Sequence, residues 1–389
     1  MIVVGTGLTV TALRAVLLSA VYPPGEELVW VGGTIRSWDA ALVEVTLSDG
    51  STGVGEAGAG IMAAVAVPGI VEAYRPYLLG RSFGHPLEVG DALRSYTAFW
   101  SRGGILSGVC GAIEMAVLDA VGTRERVPAY ELLGGLKRQR IAAYASGGLG
   151  TTFEQIDEWA ARQFESGLTT VKFRAMRDPE TTIELLEHVV PRLPAGARFV
   201  LDAVQGCASD PWSVEDAIRV GAVAERLGAR WYEEPCFATD VEGFARVRKA
   251  LGVTISGVES NGTVAEFAEL IRTDGVGLAQ PDTSFVGGPR NFQRVADLAE
   301  DAGVACVPHV WGSGVTLAAN LHGALAHKHV QLFEYCTLPN PLREALLLEP
   351  VTVTAGFIQA PTVPGLGVRL DQETEERYPF RAGGGHVIR

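Results

Sequence analysis

The sequence predicts an α/β protein: a (β/α)₇₋₈ barrel carrying an α+β domain at its N-terminus. Three observations predict it. The length, 389 residues, exceeds what one core usually fills, so a large domain plus a smaller partner is expected. From about residue 140, eight short β-rich runs alternate with helical patterns. Charged or titratable residues recur near the same end of seven consecutive runs, as the C-terminal mouth of a parallel barrel requires.

The first domain is expected over 1–135. Residues 10–20 read as a strand, and 39–58 as a hairpin turning at Asp49-Gly50. Between them, 22–38 reads as a Gly-rich connection carrying Trp30, Arg36 and Trp38, with equal claims to be a lid or a plain loop. The apolar stretch 1–22 reads as a buried strand: no basic residue precedes it and Arg14 interrupts it. The barrel domain is expected over 136–360, with strands in 141–148, 169–175, 198–204, 229–235, 253–260, 275–282, 303–310 and 330–336. An open doubly wound sheet is the alternative, but no Gly-rich phosphate loop follows the first run. Residues 361–389 read as a segment returning to the first domain.

Bulk properties narrow the class. Hydrophobic residues make up 47% and charged residues 20%, as in ordinary globular proteins. A net charge of -13 argues against nucleic acid, and no stretch offers the roughly 18 uninterrupted apolar residues of a membrane span. Five cysteines without a C-x-x-C pair suit reduced thiols in a cytoplasm.

The chemistry lies at the strand ends. A single acid there is more often a helix cap, but Asp202, Glu233 and Glu259 fall on adjacent runs. Three buried carboxylates aimed at one pocket need a cation between them, and oxygen-only ligation is what Mg²⁺ prefers. Lys172 and Arg174 share one face of their strand. They are candidates to hold a substrate carboxylate, or simply to neutralise the acids. Asp282 and His309 on neighbouring runs suit a carboxylate that orients an imidazole as a general base. Glu334 either donates, if protonated, to a developing enolate oxygen or salt-bridges Arg343. Arg36, Trp38 and Trp311 are candidate substrate contacts, Trp311 being equally suited to packing.

The motifs LSDGSTGVGEAG, GAIEMAVLDAVG, YELLGG, VKFRA, LDA, WYEEP, GVES, QPDTSFVGG, VPHVWGSG and VPGLGV, in this order, resemble the enolase superfamily and within it the mandelate racemase and muconate lactonizing group. The resemblance implies Mg²⁺ on Asp202, Glu233 and Glu259, with Glu234 behind them. It implies Lys172 on the substrate carboxylate, an Asp282–His309 dyad, and Glu334 on the carboxylate from the side opposite Lys172. It further implies a small carboxylate substrate and a homo-oligomer. Two departures stand out: Arg174 where the group often has a second lysine, and Val204 where it commonly has asparagine. With one secure base, the expected reaction is dehydration of a sugar acid. Cycloisomerisation of a lactone or anhydro acid comes second, racemisation or epimerisation third, and a non-catalytic metal-binding relative last.

Overall fold

The computed structural model describes residues 8–383 and 385–388; residues 1–7, 384 and 389, which fall in the two expected end segments, lie outside them. The first domain contains strands β1 (Leu8–Val21), β2 (Leu28–Trp30), β3 (Gly33–Ile35), β4 (Ser37–Leu47), β5 (Thr52–Ala57) and β6 (Ser82–Phe83). They build a sheet in the order β5-β4-β1-β6, all pairings antiparallel. The β4–β5 turn contains Gly50 at φ +87°, a conformation glycine adopts without strain. Helix α1 (Gly104–Glu125) lies across this sheet. Its approach depends on two glycines of β5, since a Cβ on Gly53 would sit 2.2 Å from Ala116 O and one on Gly55 1.9 Å from Ala112 O. Among the described residues, α1 alone is long and apolar enough to cross a bilayer; 83% of its most apolar window is buried inside the protein.

Residues 22–38 are not a plain connection. β2 and β3 form a hairpin, Val29 opposite Thr34, turning at Val31-Gly32. Apolar β-branched residues around a glycine pair are a hairpin signal, and the third strand of this small sheet comes from the far end of the chain (His386–Ile388). That partner is invisible to local pattern.

The barrel strands are β7 (Arg140–Ser146), β8 (Thr170–Arg174), β9 (Arg198–Asp202), β10 (Tyr232–Glu233), β11 (Ile255–Gly257), β12 (Leu278–Ala279), β13 (Ala305–Cys306) and β14 (Leu332–Cys336). One strand falls in each expected run. Strands β7 to β13 pair in parallel and in sequence, and β14 pairs with β7 from the other side. Among the described residues β13 and β14 share no ladder, so the ring is not fully hydrogen-bonded as a closed barrel would be. Prolines account for the shortness of three strands. Pro235, Pro281 and Pro308 follow β10, β12 and β13 within two residues, and a residue without an N–H cannot extend a ladder. Two further short strands, β15 (Val353–Thr354) and β16 (Phe357–Gln359), form a hairpin laid antiparallel on β7, and β17 is the His386–Ile388 strand already met.

Helices α2 (Phe153–Glu165), α3 (Pro179–Val189), α4 (Val214–Arg226), α5 (Val241–Ala250), α6 (Val264–Arg272), α7 (Pro289–Ala302) and α8 (Gly314–Leu325) fill the intervals. Side-chain caps start six of them: Thr152, Asp178, Ser213, Asp240, Thr263 and Ser313 each accept a backbone N–H from the first turn.

Buried acids join the two domains. Glu56 at the end of β5 accepts from the N–H and hydroxyl groups of Ser313 and Thr316, at the start of α8. Glu114 on α1 accepts from Arg290 N at 2.7 Å, and Asp119 from Leu366 N at 2.7 Å in the returning tail. His322 on α8 accepts from Tyr130 N through Nδ1 at 3.1 Å. Burial pushes its pKa down to about 4. A histidine held neutral in the fold lets the unfolded chain bind the extra proton below the usual pKa of about 6.5. Its contribution is therefore present above that pH and lost as pH falls toward 4. We expect urea-unfolding stability to drop across this window more steeply in the wild type than in His322→Gln, by roughly 3 kcal/mol at most; parallel pH curves would refute the assignment.

Candidate active site

Strand register sets the first layer of the site. Arg174 lies opposite Asp202 on β9, and Asp202 opposite Glu233 on β10. Glu259 follows β11 by two residues, Asp282 follows β12 by three, His309 follows β13 by three, and Glu334 lies within β14. The sequence expectation that these residues share one end of the barrel corresponds to one buried cluster.

Lys172, fully buried, is its hub. Its Nζ stands 2.8 Å from Glu233 Oε1, 2.7 Å from Glu334 Oε1 and 3.3 Å from Asp202 Oδ2. Arg174 Nη1 donates to Asp202 Oδ2, and the Trp231 indole donates to Glu233 Oε2 at 3.1 Å. Three carboxylates thus meet two permanent cations, and a fourth, Glu259, stands at the partly exposed edge beside His309, so carboxylates outnumber permanent cations here. The titration directions register that deficit. Burial, with Asp202, Glu334 and Glu259 adding to it against Lys172, pushes the Glu233 carboxyl up to about 7. Burial and the neighbouring acids hold Glu234 well above the usual carboxylate range. One atom from each of Asp202, Glu233 and Glu259 lies within 4.8 Å of the others. An all-oxygen set in which carboxylates outnumber permanent cations fits a divalent hard cation.

Beside this cluster, His309 Nδ1 lies 2.9 Å from Asp282 Oδ2 and His309 Nε2 lies 3.4 Å from Glu259 Oε2. Asp282 is itself fixed, accepting from Ser284 N and Oγ and from Asn320 Nδ2 at 2.8, 2.7 and 3.0 Å. With Asp282 already accepting from Ser284 and Asn320, a hydrogen bond from His309 Nδ1–H to its other oxygen leaves Nε2 as the basic atom of a neutral ring. Burial works to lower the His309 pKa, but Glu259, Asp282 and Glu334 overcome it and push it up to about 10. A cation shared by Glu259 would remove the first of those pulls.

Above the cluster opens a cavity of about 330 Å³, reached by Arg174, Glu259, His309 and Trp311. Lys172, Asp202, Glu233, Asp282 and Glu334 lie beneath it. Three expectations need correction. Trp38 is a core residue: only 1% exposed, its indole N–H is shared between Tyr22 Oη and Pro339 O, and its ring packs behind Trp311 at 5.3 Å. Arg36 is exposed and absent from the cavity wall, where its neighbours Thr34 and Ile35 stand instead; it lies between β3 and β4, outside either strand. Glu334 lies on the Lys172 side and not opposite it. Burial raises its carboxyl, but Lys172 and His309 outweigh this and bring it down to about 2, which with its two donors in contact suits an acceptor. Its other oxygen accepts from Val310 N at 2.8 Å, while Arg343 turns to Cys336 O.

A family model described as enolase C-terminal domain-like matches residues 155–374, more than half of the chain. The chain belongs to the enolase superfamily. Its relatives include D-galactarolactone cycloisomerase of Agrobacterium fabrum, 29% identical over 87% of this chain and 91% of that one. Arabinonate dehydratase of Saccharolobus solfataricus is also 29% identical, over 88% and 91%. A racemase from Streptomyces coelicolor A3(2), solved with bound magnesium, superposes with a TM-score of 0.84 at 26% identity, covering 95% of this chain and 99% of that one. Enolase-superfamily relatives of this chain are thus enzymes of carboxylated sugars, both lyases and isomerases.

Two residues in this superfamily member escaped the reading of motifs. Trp231 was within reach, because it shares a strand face with Glu233 two positions on. Asn320 was not, since only the fold carries α8 to Asp282.

Removing Lys172 would leave Asp202 with Arg174 but Glu233 and Glu334 without a cation in contact. We expect Lys172→Met to lose about 3–5 kcal/mol of unfolding free energy in metal-free buffer, measured by urea denaturation. A change below about 1 kcal/mol would mean that Lys172 does not neutralise this cluster.

Proposed function

We propose that this chain removes the proton α to a substrate carboxylate, using Mg²⁺ held by Asp202, Glu233 and Glu259, and that the reaction is dehydration of a sugar acid. The observation that carries the proposal is the charge-deficient triad lying against the His309–Asp282 pair. The bound ion would polarise the substrate carboxylate and stabilise the negative charge that develops as the proton leaves.

The protein's own groups supply the rest. Asp282, locked by Ser284 and Asn320, holds His309 so that Nε2 faces the cavity side and takes the α-proton. Arg174, stacked 5.2 Å over Trp311, offers its guanidinium to the carboxylate at the cavity floor. Lys172, buried beneath, ties Asp202, Glu233 and Glu334 together and so fixes the acids that would hold the ion. His309, once protonated, returns its proton to a departing β-hydroxyl, which completes loss of water.

A single base favours elimination over racemisation. Lys172 is sealed among carboxylates that hold its pKa well above normal against the lowering effect of burial, and Arg174 keeps its proton at any working pH. Cycloisomerisation uses the same single base, with the returned proton going to a ring oxygen; the cycloisomerase among the relatives supports this second reading. A non-catalytic relative would have no use for the ordered Asp282–His309 pair. The five unpaired cysteines support a cytoplasmic setting, and a homo-oligomer remains part of the proposal.

Mg²⁺ at 100 times its dissociation constant should stabilise the fold by about 2.7 kcal/mol, seen as a rise in melting temperature that Glu233→Gln abolishes. An equal rise in the variant would place the ion elsewhere. With sugar acids in D₂O, the wild type should form a 2-keto product; His309→Asn should lower the rate by about 10²–10⁴-fold while retaining Mg²⁺ binding. Full activity in that variant would end the assignment of His309 as base. Deuterium incorporation with inversion and no loss of water would replace dehydration by epimerisation.

A further inference from the structure

Trp311 stands between two donors on the cavity wall. Its ring lies 5.2 Å from the Arg174 guanidinium, and its indole Nε1 donates to His386 Nε2 at 3.4 Å. All three residues line the cavity. Arg174 belongs to the barrel, whereas His386 arrives on β17 from the far end of the chain.

Backbone contacts hold that end in place. Ser19 N donates to Tyr378 O at 3.1 Å, Arg381 N to Ser19 Oγ at 3.1 Å, and Arg36 N to Gly385 O at 2.6 Å. Antiparallel pairing then sets His386 opposite Ile35, itself a wall residue. The imidazole packs edge-on against Trp38, with ring centroids 5.4 Å apart. Packing on Trp38 and the bond from Trp311 together orient it.

The Trp311 bond also fixes the tautomer. A neutral imidazole has one acceptor nitrogen and one N–H. Nε2 is the acceptor, so the proton sits on Nδ1, and burial, which lowers the ring's pKa to about 4, keeps it neutral. Nδ1 is buried and has no partner. Among the described residues of the wall, the buried N–H groups without an acceptor are His386 Nδ1 and Arg174 Nε, one on each side of Trp311. A buried N–H left unpaired is costly, so both call for an acceptor that the chain does not supply.

We infer that His386 binds substrate: its Nδ1–H donates to a substrate oxygen remote from the carboxylate that Arg174 takes. His309 and Arg174 address the carbon and carboxylate that all sugar acids share. A donor on a separate strand reads an oxygen whose position differs among them, so the C-terminal strand takes part in selecting the acid. The inference rests on the enolisation reading above and adds a specificity residue to it.

The test uses whichever acid the wild type turns over fastest, with Mg²⁺, from a panel of pentonates and hexonates. Asparagine puts an amide N–H where Nδ1 stands, glutamine puts its amide near Nε2, and phenylalanine keeps the ring without either nitrogen. His386→Phe should raise KM by about tenfold and leave kcat within about twofold. His386→Gln should match it, and His386→Asn should stay within about threefold of the wild-type KM. Melting temperatures check that each variant folds; should His386→Phe unfold, the Asn and Gln variants decide the matter by themselves. An unchanged KM in His386→Phe or His386→Gln overturns the inference. So does a loss confined to kcat, or an Asn variant as impaired as the Gln variant, since the ring would then act only by holding Trp311 under Arg174. These outcomes leave the enolisation reading intact. No turnover of any acid by wild-type protein that binds Mg²⁺ removes that reading and the inference with it.

Discussion

Five charged side chains from β8, β9, β10 and β14 meet in one buried layer, with Glu259 of the loop after β11 at its partly exposed edge, and their charges do not balance. Lys172 and Arg174 are set against Asp202, Glu233, Glu259 and Glu334. Burying even one unpaired carboxylate costs several kcal/mol, so such a layer persists only where the surrounding fold is stable enough to hold it and where the deficit serves a purpose. A divalent cation would meet both conditions, offsetting the excess and making the acids a binding site. The neighbouring His309 lies between a fixed carboxylate on one ring nitrogen and Glu259 on the other. A cation shared by Glu259 would weaken one of the pulls that raise its pKa.

The rest of the molecule keeps that layer in place and dry. Parallel register aligns Arg174, Asp202 and Glu233 on three adjacent strands without any long side chain having to search for its partner. Prolines end the ladders just before the functional residues, which frees the backbone after β12 and β13 to turn Asp282 and His309 toward each other. The first domain closes the mouth. Its small three-stranded sheet brings Trp30, Thr34 and Ile35 to the cavity, and Trp38 backs Trp311, which in turn carries Arg174. Glu56, buried against the start of α8, fastens this lid to the barrel through four donors.

Much of this was legible in the sequence because parallel barrels translate position along a strand into position in space. A polar residue at the end of each β-rich run reaches the same mouth, so spacing alone put Asp202, Glu233, Glu259 and His309 at one end of the barrel, where the structure also has them. Trp38 and Arg36 were not: no local pattern shows that the β2–β3 hairpin ends one residue before Arg36, or that Trp38 packs behind Trp311 from a distant part of the chain. The place of Glu334 depended on which neighbour it reached across the barrel, and strand order alone does not say whether it faces Lys172 or the opposite wall. Asn320 and the pairing of β3 with His386–Ile388 join segments far apart in the chain, and no window of sequence contains both partners.

The central claim is that the acid layer is a one-ion site. Titration of the metal-free protein with Mn²⁺, followed by the electron paramagnetic resonance signal of the free aquo ion, counts tight sites directly. The account predicts one Mn²⁺ per chain, displaced by Mg²⁺, and no tight site in Glu233→Gln. Absence of tight binding in the wild type, or unchanged stoichiometry in the variant, would contradict it.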